Sequence, residues 1–299
     1  MVKLKRYDKN PILTAIPHHP WESKHVSNAG AIVKDGKVHI LYRAEGDDTR
    51  PSAYHTWSVS RIGLAISSDG FTIDERLPEP VIDITGEQHP HTDGVEDARI
   101  AEIDGVYYAV YCTTSIFPEC LALATSRDLA HWDKHGTLMP EFSQRTAGLL
   151  PEKINGEFVL FYRVLPHMWV ARSRDLKNWH DHRIVLRTRY GHWTEVKMGI
   201  GATPIKTDQA WVVFIHGKDR NACYRLGVCW LDLEDPSKVL KVQDEPILEP
   251  KEPYELEGFF NNAIYTCGAA VLGDEVAVYY GCADMCLAVA TVPMKDLRL

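Results

Sequence analysis

The stretch Ile100-Ala-Glu-Ile-Asp-Gly-Val-Tyr-Tyr-Ala-Val-Tyr111 decides the fold, because it predicts two β-strands joined by an Asp-Gly turn. Asp-Gly or Asn-Gly between two β-rich runs is a strong signal for a β-hairpin. The pattern returns at Ala31–Arg43, Leu150–Arg163, Thr203–His216 and Ala269–Tyr280. Five copies of one hairpin in a chain of 299 residues indicate a repeat architecture.

A further β-strand follows each hairpin. These strands are predicted at Ile62–Ser67, Leu121–Ser126, Trp169–Ser173, Arg225–Leu231 and Cys286–Thr291. Two of them run into nearly identical turns, Ser-Arg-Asp128-Leu-Ala-His-Trp132 and Ser-Arg-Asp175-Leu-Lys-Asn-Trp179. Repeated units of three or four short strands are typical of propeller blades. The sequence therefore predicts an all-β protein, a five-bladed β-propeller that forms a single domain over residues 1–299.

The alternative architecture is a large β-sandwich, which lacks such a regular repeat of hairpin and third strand. No amphipathic helix of useful length interrupts the strands, and only Asp235–Leu240 suggests a helical turn. No linker or low-complexity tract marks a domain boundary.

Charge and cysteine content limit the partners of the chain. A formal net charge of −8 argues against nucleic acid or an acidic membrane as the main partner. Neither a signal-peptide core nor an apolar run long enough for a membrane span is present. The seven cysteines include no Cys-x-x-Cys pair, so free thiols in a reducing cytoplasm are expected. The sequence is compatible with a homo-oligomer but does not specify one.

The segment Gly94-Val-Glu-Asp-Ala-Arg-Ile100 leads directly into the hairpin quoted above and concentrates charge. Strand alternation predicts that Asp97 and Arg99 share one face and that Glu96 points away. Arg99 is then the expected orienting partner of Asp97. A surface salt bridge is the alternative. In a propeller, however, innermost strands converge at the mouth of a central channel, where ligands bind.

Polar residues occur beside the innermost strand of every predicted blade, and a solvated loop would not require this regularity. The residues expected at the mouth include Asn28, Arg43, Arg61, Glu96, Asp97, Arg145, Arg163, Lys197, His216, Tyr224 and Asp284. Within this set, Arg145, Arg163, Lys197 and His216 form a basic cluster on adjacent blades, which is a candidate anion site. No glycine-rich phosphate loop is present, so a free phosphate-sized anion fits better than a nucleotide.

Aromatic residues interleave the polar set and are candidates to hold sugar rings, although packing within the blades is expected for half of them. These residues are Trp21, Tyr54, Trp57, His91, Trp169, Trp193 and Phe259. The histidines follow no standard metal-ligand spacing, so no metal is expected.

Several motifs resemble those of glycoside hydrolase family 130, the mannoside phosphorylases and mannosidases. The segment Gly94–Ile100 is similar to the family's Gly-Val-Glu-Asp-Pro-Arg-Ile motif, with Ala98 in place of the usual proline. Further matching stretches are Asn28–Ala31, Leu41–Ala44, Leu150–Gly156, Lys197–Lys206, His216-Gly217, Leu231–Leu240 and Tyr280–Asp284. The resemblance follows the chain in order over almost its whole length.

The resemblance implies a five-bladed propeller and an inverting reaction. Inorganic phosphate would attack the anomeric carbon of a non-reducing β-mannosyl unit and release α-D-mannose 1-phosphate. Asp97 matches the family's general acid, which is thought to act through the 3-hydroxyl of mannose. The phosphate pocket matches Arg145, Arg163, Lys197, His216 and Tyr224, and the substrate-binding residues match Asn28, Arg43, Arg61, Glu96 and Asp284. Phosphate is then a co-substrate, and no other cofactor is implied.

The complete basic cluster favours a phosphorylase over a β-mannosidase, since hydrolysing members are expected to lose the cluster and carry glutamates that activate water. The preferred substrates are β-1,2-mannobiose or short β-1,2-mannooligosaccharides, with β-1,4-mannooligosaccharides as the alternative. Five-bladed glycosidases of the arabinanase or invertase type need an opening Asn-Asp-Pro motif that is absent here. A non-catalytic glycan-binding propeller would have no use for the cationic cluster.

Overall fold

The computed structural model describes residues 1–51, 56–85, 93–114, 119–139 and 143–299, and nearly all regular elements in these ranges are β-strands. The strands are β1 (Lys5–Arg6), β2 (His25–Lys34), β3 (Lys37–Pro51), β4 (Thr56–Ser67), β5 (Glu75–Arg76), β6 (Gly94–Ile103), β7 (Val106–Thr114), β8 (Cys120–Ser126), β9 (Asp133–Thr137), β10 (Arg145–Leu149), β11 (Phe158–Val164), β12 (His167–Ser173), β13 (His180–Leu186), β14 (Lys197–Ile200), β15 (Ile205–Lys206), β16 (Trp211–Lys218), β17 (Tyr224–Leu231), β18 (Val239–Val242), β19 (Ile264–Leu272), β20 (Glu275–Cys282) and β21 (Cys286–Pro293). The helices are α1 (Pro253–Leu256) and a 3-10 helix (Met294–Leu297). The all-β prediction is confirmed.

The strands form five antiparallel units. We call β2, β6, β10, β14 and β19 the first strands of units one to five. Unit one contains β2–β5, unit two β6–β9, unit three β10–β13, unit four β14–β18, and unit five β19–β21 together with β1. Units one and two join into one sheet through a single parallel pair, Ser60 opposite Gly94. Unit five takes its outer strand from the other end of the chain, because β1 pairs with β21.

The predicted hairpin turns lie where the sequence places them. Asp35-Gly36, Asp104-Gly105 and Asn155-Gly156 all have positive φ, as a two-residue turn between twisted strands requires. The predicted third strands correspond to β4, β8, β12, β17 and β21. The helical turn suggested at Asp235–Leu240 is wrong: a hydrogen-bonded turn leads there into β18, because Asp232 and Asp235 bind backbone N–H groups.

The two nearly identical turns of units two and three have the same hydrogen bonds. Ser126 and Asp128 each accept a backbone N–H of their turn at 2.8 Å. Ser173 and Asp175 accept the equivalent N–H groups at 2.9 and 2.8 Å. These backbone hydrogen bonds lower the pKa of both aspartates. The sequence repeat is therefore a structural repeat.

A β-bulge interrupts the first strand of four units. The register shifts lie at Ser27/Gly30, Glu96/Arg99, Arg145/Gly148 and Thr266/Gly268. In three of the bulges, one residue adopts a left-handed backbone: Asn28 (φ 47°), Asp97 (φ 57°) and Thr146 (φ 58°). Asparagine and aspartate tolerate this conformation better than most residues. A bulge re-aims side chains, so simple alternation fails at these positions.

The first strands of the five units pack against one another through small residues. A Cβ on Gly30 would lie 2.4 Å from the carbonyl oxygen of Ala98, and one on Gly268 would lie 2.4 Å from the backbone nitrogen of Ala31. The other close approaches are Gly148 to Arg99, Gly199 to Thr146, and Gly201 to Thr266. Each unit therefore contacts two others at its first strand or, in unit four, immediately after it.

Arg99 in β6 ties the first strands together and is 1% exposed. Its guanidinium donates to the carbonyl oxygens of Gly201, Ile200 and Thr266 in units four and five. It also donates to the Asp97 carbonyl oxygen at 2.9 Å and to the Tyr265 hydroxyl at 3.1 Å. Within the described part of the chain, Arg99 has no carboxylate ion-pair partner, so oriented dipoles balance its charge.

Five buried hydrophobic clusters fill the space between the units, and each cluster draws its residues from two units. Representative pairs are Leu64 with Tyr111, Val110 with Leu160, Phe161 with Ile215, Val212 with Val278, and Ile40 with Tyr279. Burial of this apolar surface is the main stabilising contribution between units.

The seven cysteines are free thiols, and all except Cys223 are buried. In the described ranges, both helices have four residues, too few to cross a membrane.

We expect Arg99→Met to lower the free energy of unfolding by about 3 kcal/mol or more, since several buried acceptors would each lose a donor at about 1–3 kcal/mol. Urea unfolding followed by circular dichroism measures the change. Arg174→Met is the control: its side chain is 82% exposed beside Glu157, so it should cost less than about 1 kcal/mol. Equal losses in the two variants would contradict a structural role for Arg99.

Candidate functional site

Polar residues from all five units line one cavity of about 560 Å³. Nine of the eleven residues predicted for the site line it: Asn28, Arg43, Glu96, Asp97, Arg145, Arg163, Lys197, Tyr224 and Asp284. The volume lies within the range of about 300–1,000 Å³ that is usual for small-molecule sites.

Asp97 is positioned by the bulge of β6 and by a side chain of the neighbouring unit. The Asn28 Nδ2 donates to Asp97 Oδ1 at 3.1 Å and to Asp284 Oδ1 at 3.3 Å. Asn28, Asp97 and Asp284 all have left-handed backbones, with φ of 47°, 57° and 55°. One amide therefore links two carboxylates, and all three residues lie at left-handed positions of the main chain.

Arg43 lies among four carboxylates on this side of the cavity. Its Nε donates to Glu45 Oε1 at 2.9 Å, and its Nη1 lies 3.5 Å from Glu96, 3.8 Å from Asp97 and 3.9 Å from Asp284. Burial is the first cause that raises the pKa of Glu96 and Asp284, and the nearby Asp97 charge raises both further. Such carboxylates hold protons more readily than exposed ones.

The prediction that Glu96 points away from Asp97 is wrong. Both side chains line the cavity and both approach Arg43. The physical reason is the bulge between Glu96 and Arg99, which breaks the alternation assumed from sequence. Glu96 also accepts hydrogen bonds from Arg145 and, at 3.3 Å, from Ser60 Oγ.

The predicted contact between Arg99 and the Asp97 carboxylate also takes a different form. Arg99 Nη1 donates to the main-chain carbonyl of Asp97, not to its side chain. Arg99 therefore fixes the left-handed backbone of Asp97, while Asn28 contacts the carboxylate.

The cavity lining also contains three cations, Arg145, Arg163 and Lys197. Arg145 is paired with Glu96 and Glu119, whereas neither Arg163 nor Lys197 has a carboxylate ion-pair partner in the described ranges. Burial is the first cause that lowers the pKa of Lys197 to about 8, followed by the charge of Arg163. Two neighbouring cations without carboxylate counterions, Arg163 and Lys197, favour the binding of an anion in the cavity.

His216 lies beneath these cations and is fully buried. Its Nε2 lies 3.3 Å from Arg163 Nη1, and since a guanidinium only donates, Nε2 accepts. Burial and then Arg163 hold the pKa of His216 well below its usual value, so the ring is neutral. His216 does not line the cavity, and it positions Arg163 from below.

Arg61 is the other predicted residue that does not line the cavity. Its Nε donates to Asp83 Oδ1 at 2.9 Å. Among the predicted aromatic residues, Phe259 lines the cavity, while Trp21 stacks on Tyr42 and Trp193 packs against Gly217 and Gly227. Tyr54 and His91 lie outside the described residues, and so does the side chain of Trp57.

Sequence reasoning missed Glu45, Tyr265 and Lys218. Glu45 and Tyr265 line the cavity, and Lys218 lies opposite Lys197 in the β14–β16 pair. Glu45 follows Arg43 by two residues in one strand, so alternation could have found it. Tyr265 accepts from Arg99 at 3.1 Å and hydrogen-bonds to Thr146 at 3.0 Å, and no local pattern indicates these contacts between units.

Comparison with known families agrees with this geometry. The model of glycoside hydrolase family 130, described as beta-1,4-mannooligosaccharide phosphorylase, matches residues 3–298. The chain belongs to glycoside hydrolase family 130. The family assignment drawn from the motifs is confirmed.

Named relatives within family 130 match the whole chain. A 1,2-beta-oligomannan phosphorylase and a beta-1,2-mannobiose phosphorylase, both from Thermoanaerobacter sp., are 42% and 39% identical, and both alignments cover all of this chain and all of the relative. The structure of the beta-1,2-mannobiose phosphorylase of Listeria innocua, in complex with beta-1,2-mannobiose, superposes with a TM-score of 0.88 at 28% identity and covers 98% of both chains.

We expect sulfate binding at Arg163 and Lys197 to weaken as pH rises from about 7 to about 9, because Lys197 loses its proton near its lowered pKa of about 8. Sulfate keeps its charge over this range, so titration calorimetry reports the protein groups alone. Lys197→Arg should flatten the dependence, since arginine stays protonated. A steep dependence that persists in Lys197→Arg would assign it to another group.

Proposed function

We propose that the chain is an inverting β-mannoside phosphorylase that uses inorganic phosphate and releases α-D-mannose 1-phosphate. The observation that carries the proposal is that one cavity holds both Asp97 with its carboxylate neighbours and two cations, Arg163 and Lys197, that have no carboxylate ion-pair partner among the described residues. The names of the two whole-length relatives support it.

Asp97 is the proposed general acid. Inversion needs an acid for the leaving oxygen and a nucleophile on the opposite face of the sugar. The 3-hydroxyl of the mannosyl unit relays the proton from Asp97 to that oxygen. Asn28, Arg43, Glu96 and Asp284 surround Asp97 and are proposed to hold the mannosyl ring through its hydroxyls. Arg61, paired with Asp83, belongs to the same proposed set.

Phosphate is the proposed nucleophile, and it is already anionic, so no carboxylate base is needed. Arg145, Arg163, Lys197 and Tyr224 are the proposed phosphate-binding residues, with His216 behind Arg163. This arrangement favours a phosphorylase over a β-mannosidase. Glu96 and Glu119 are both bound to Arg145 and are poorly placed to activate water.

The proposed substrates are β-1,2-mannobiose and short β-1,2-mannooligosaccharides, as the names of the two whole-length relatives suggest. β-1,4-Mannooligosaccharides are the second candidate, because the matching family model carries that description.

We also propose that residues 1–299 form one domain, a five-bladed β-propeller with units one to five as its blades. The contacts between first strands and the five clusters between units support this arrangement. Seven free thiols favour a reducing compartment, so the cytoplasm is the proposed location.

Incubation of the protein with β-1,2-mannobiose should yield mannose and α-D-mannose 1-phosphate only when phosphate is present. Phosphorus NMR of the early product identifies its anomer. Release of mannose at the same rate without phosphate would overturn the proposal in favour of a hydrolase.

Asp97→Asn should lower kcat by roughly 10²–10⁴-fold, the usual contribution of a general acid. The amide keeps the size of the side chain, so circular dichroism and the melting temperature should stay close to those of the wild type. Full activity in this variant would remove Asp97 as the acid.

Lys197→Ala should raise the KM for phosphate more than the KM for mannobiose, because the variant loses one cation of the anion site. Lys206→Ala is the matched control: its ammonium pairs with Glu152 on an exposed surface. An unchanged phosphate KM in Lys197→Ala would remove this residue from the phosphate pocket.

A further inference from the structure

A second cavity, of about 1100 Å³, lies between units two and three, and among the described residues it shares none of its lining with the site described above. We call it the side groove. One wall comes from β8, β9 and the first of the repeated turns, and the other from the second repeated turn and β13. Leu123, Leu138, Met139 and Tyr108 supply apolar surface. The groove exceeds the usual volume of small-molecule sites, so it has room for a chain of several sugar units.

The two repeated turns differ in the state of their tryptophans. Trp132 Nε1 donates to the carbonyl oxygen of Leu129 at 2.9 Å within its own turn. Trp179 occupies the equivalent position in the second turn, yet its buried Nε1 has no acceptor among the described residues, so no hydrogen bond ties its ring to its own turn. Trp179 lines the side groove and Trp132 does not.

The groups next to Trp179 are held in fixed orientations. His182 Nδ1 lies 2.7 Å from the Tyr162 hydroxyl, and its Nε2 lies 3.2 Å from the Trp179 carbonyl oxygen. Asn178 Nδ2 donates to Asp175 Oδ2 at 2.8 Å. Rigid rings beside amide and carboxylate groups suit a ligand that has both C–H faces and hydroxyls.

The charges of the side groove argue against an anionic ligand. Its lining contains three carboxylates, Asp128, Asp133 and Asp175, and two cations, Arg127 and Lys177. Both cations are exposed, unlike Arg163 and Lys197 in the site cavity. A neutral, polyhydroxylated ligand therefore fits the groove best.

We infer that the side groove binds a neutral oligosaccharide, with a sugar ring packing against the half-buried indole ring of Trp179. The identity of the oligosaccharide rests on the proposed function: if that function holds, the ligand is a β-mannooligosaccharide longer than the disaccharide. A second site for the same chain raises the local concentration of chain ends near the enzyme.

Nitrogen-15 NMR of the indole groups tests the inference directly. The wild-type protein has eight tryptophans, and the loss of one indole signal in Trp179→Phe assigns Trp179. Addition of a β-1,2-mannohexaose, without phosphate, should shift the Trp179 signal and leave that of Trp132 in place. A Trp179 signal that does not move at saturation, or that moves equally with a gluco-oligosaccharide of the same length, overturns the inference.

Calorimetry with paired variants gives an independent measurement. Trp179→Ala should weaken one of two binding events for the hexaose by about tenfold, as expected when an aromatic ring that packs on the ligand is lost, whereas Trp132→Ala should retain both. Both variants should phosphorolyse mannobiose at the wild-type rate, since neither residue lines the site cavity. Two unchanged binding events in Trp179→Ala would also overturn the inference. If the wild type shows no phosphorolysis, the proposed function fails, while the NMR result still decides the groove.

Discussion

The buried guanidinium of Arg99 is the constraint on which the centre of the molecule depends. It donates to carbonyl groups of units four and five and to the main chain of its own bulge. Because its five donors have directions fixed by the planar group, the strands that supply the acceptors cannot shift independently. The hydrogen bond from Arg99 to the Asp97 carbonyl also holds the left-handed backbone of Asp97. The contacts between first strands and the position of the proposed acid therefore depend on the same side chain.

The site contains a group of carboxylates and a group of cations, and the surrounding strands hold both in place. Arg43 stabilises a group of carboxylates that would repel one another in its absence. Arg163 and Lys197 line the same cavity and repel each other, and among the described residues neither has a carboxylate ion-pair partner. Isolated charges of this kind are unfavourable in a folded protein without a ligand. The apolar clusters between units offset that cost, and binding of an anion would relieve it.

The sequence predicts the strand units because their signals are local. Asp104-Gly105 needs only its neighbours to form a turn, and the apolar runs around it form strands in any context. Most predicted site residues line one cavity because a repeat places equivalent positions together. The wrong prediction is the direction of Glu96, which a bulge turns into the cavity. No sequence pattern predicts the pairing of β1 with β21, or the difference between Trp179 and Trp132 in nearly identical turns. Neither alternation nor repeat similarity contains that information.

The way unit five is assembled has a consequence for biosynthesis. The Asn10 side chain binds Val289 at a separation of 279 residues, and Arg6 forms a partly buried ion pair with Glu255. While the chain leaves the ribosome, units one to four can form in turn from neighbouring segments, whereas β1 has no partner until β21 has been made. The early segment therefore remains exposed for most of translation. Lys3, Lys5 and Arg6 are charged residues of the kind that discourage pairing between unpartnered strands of different chains.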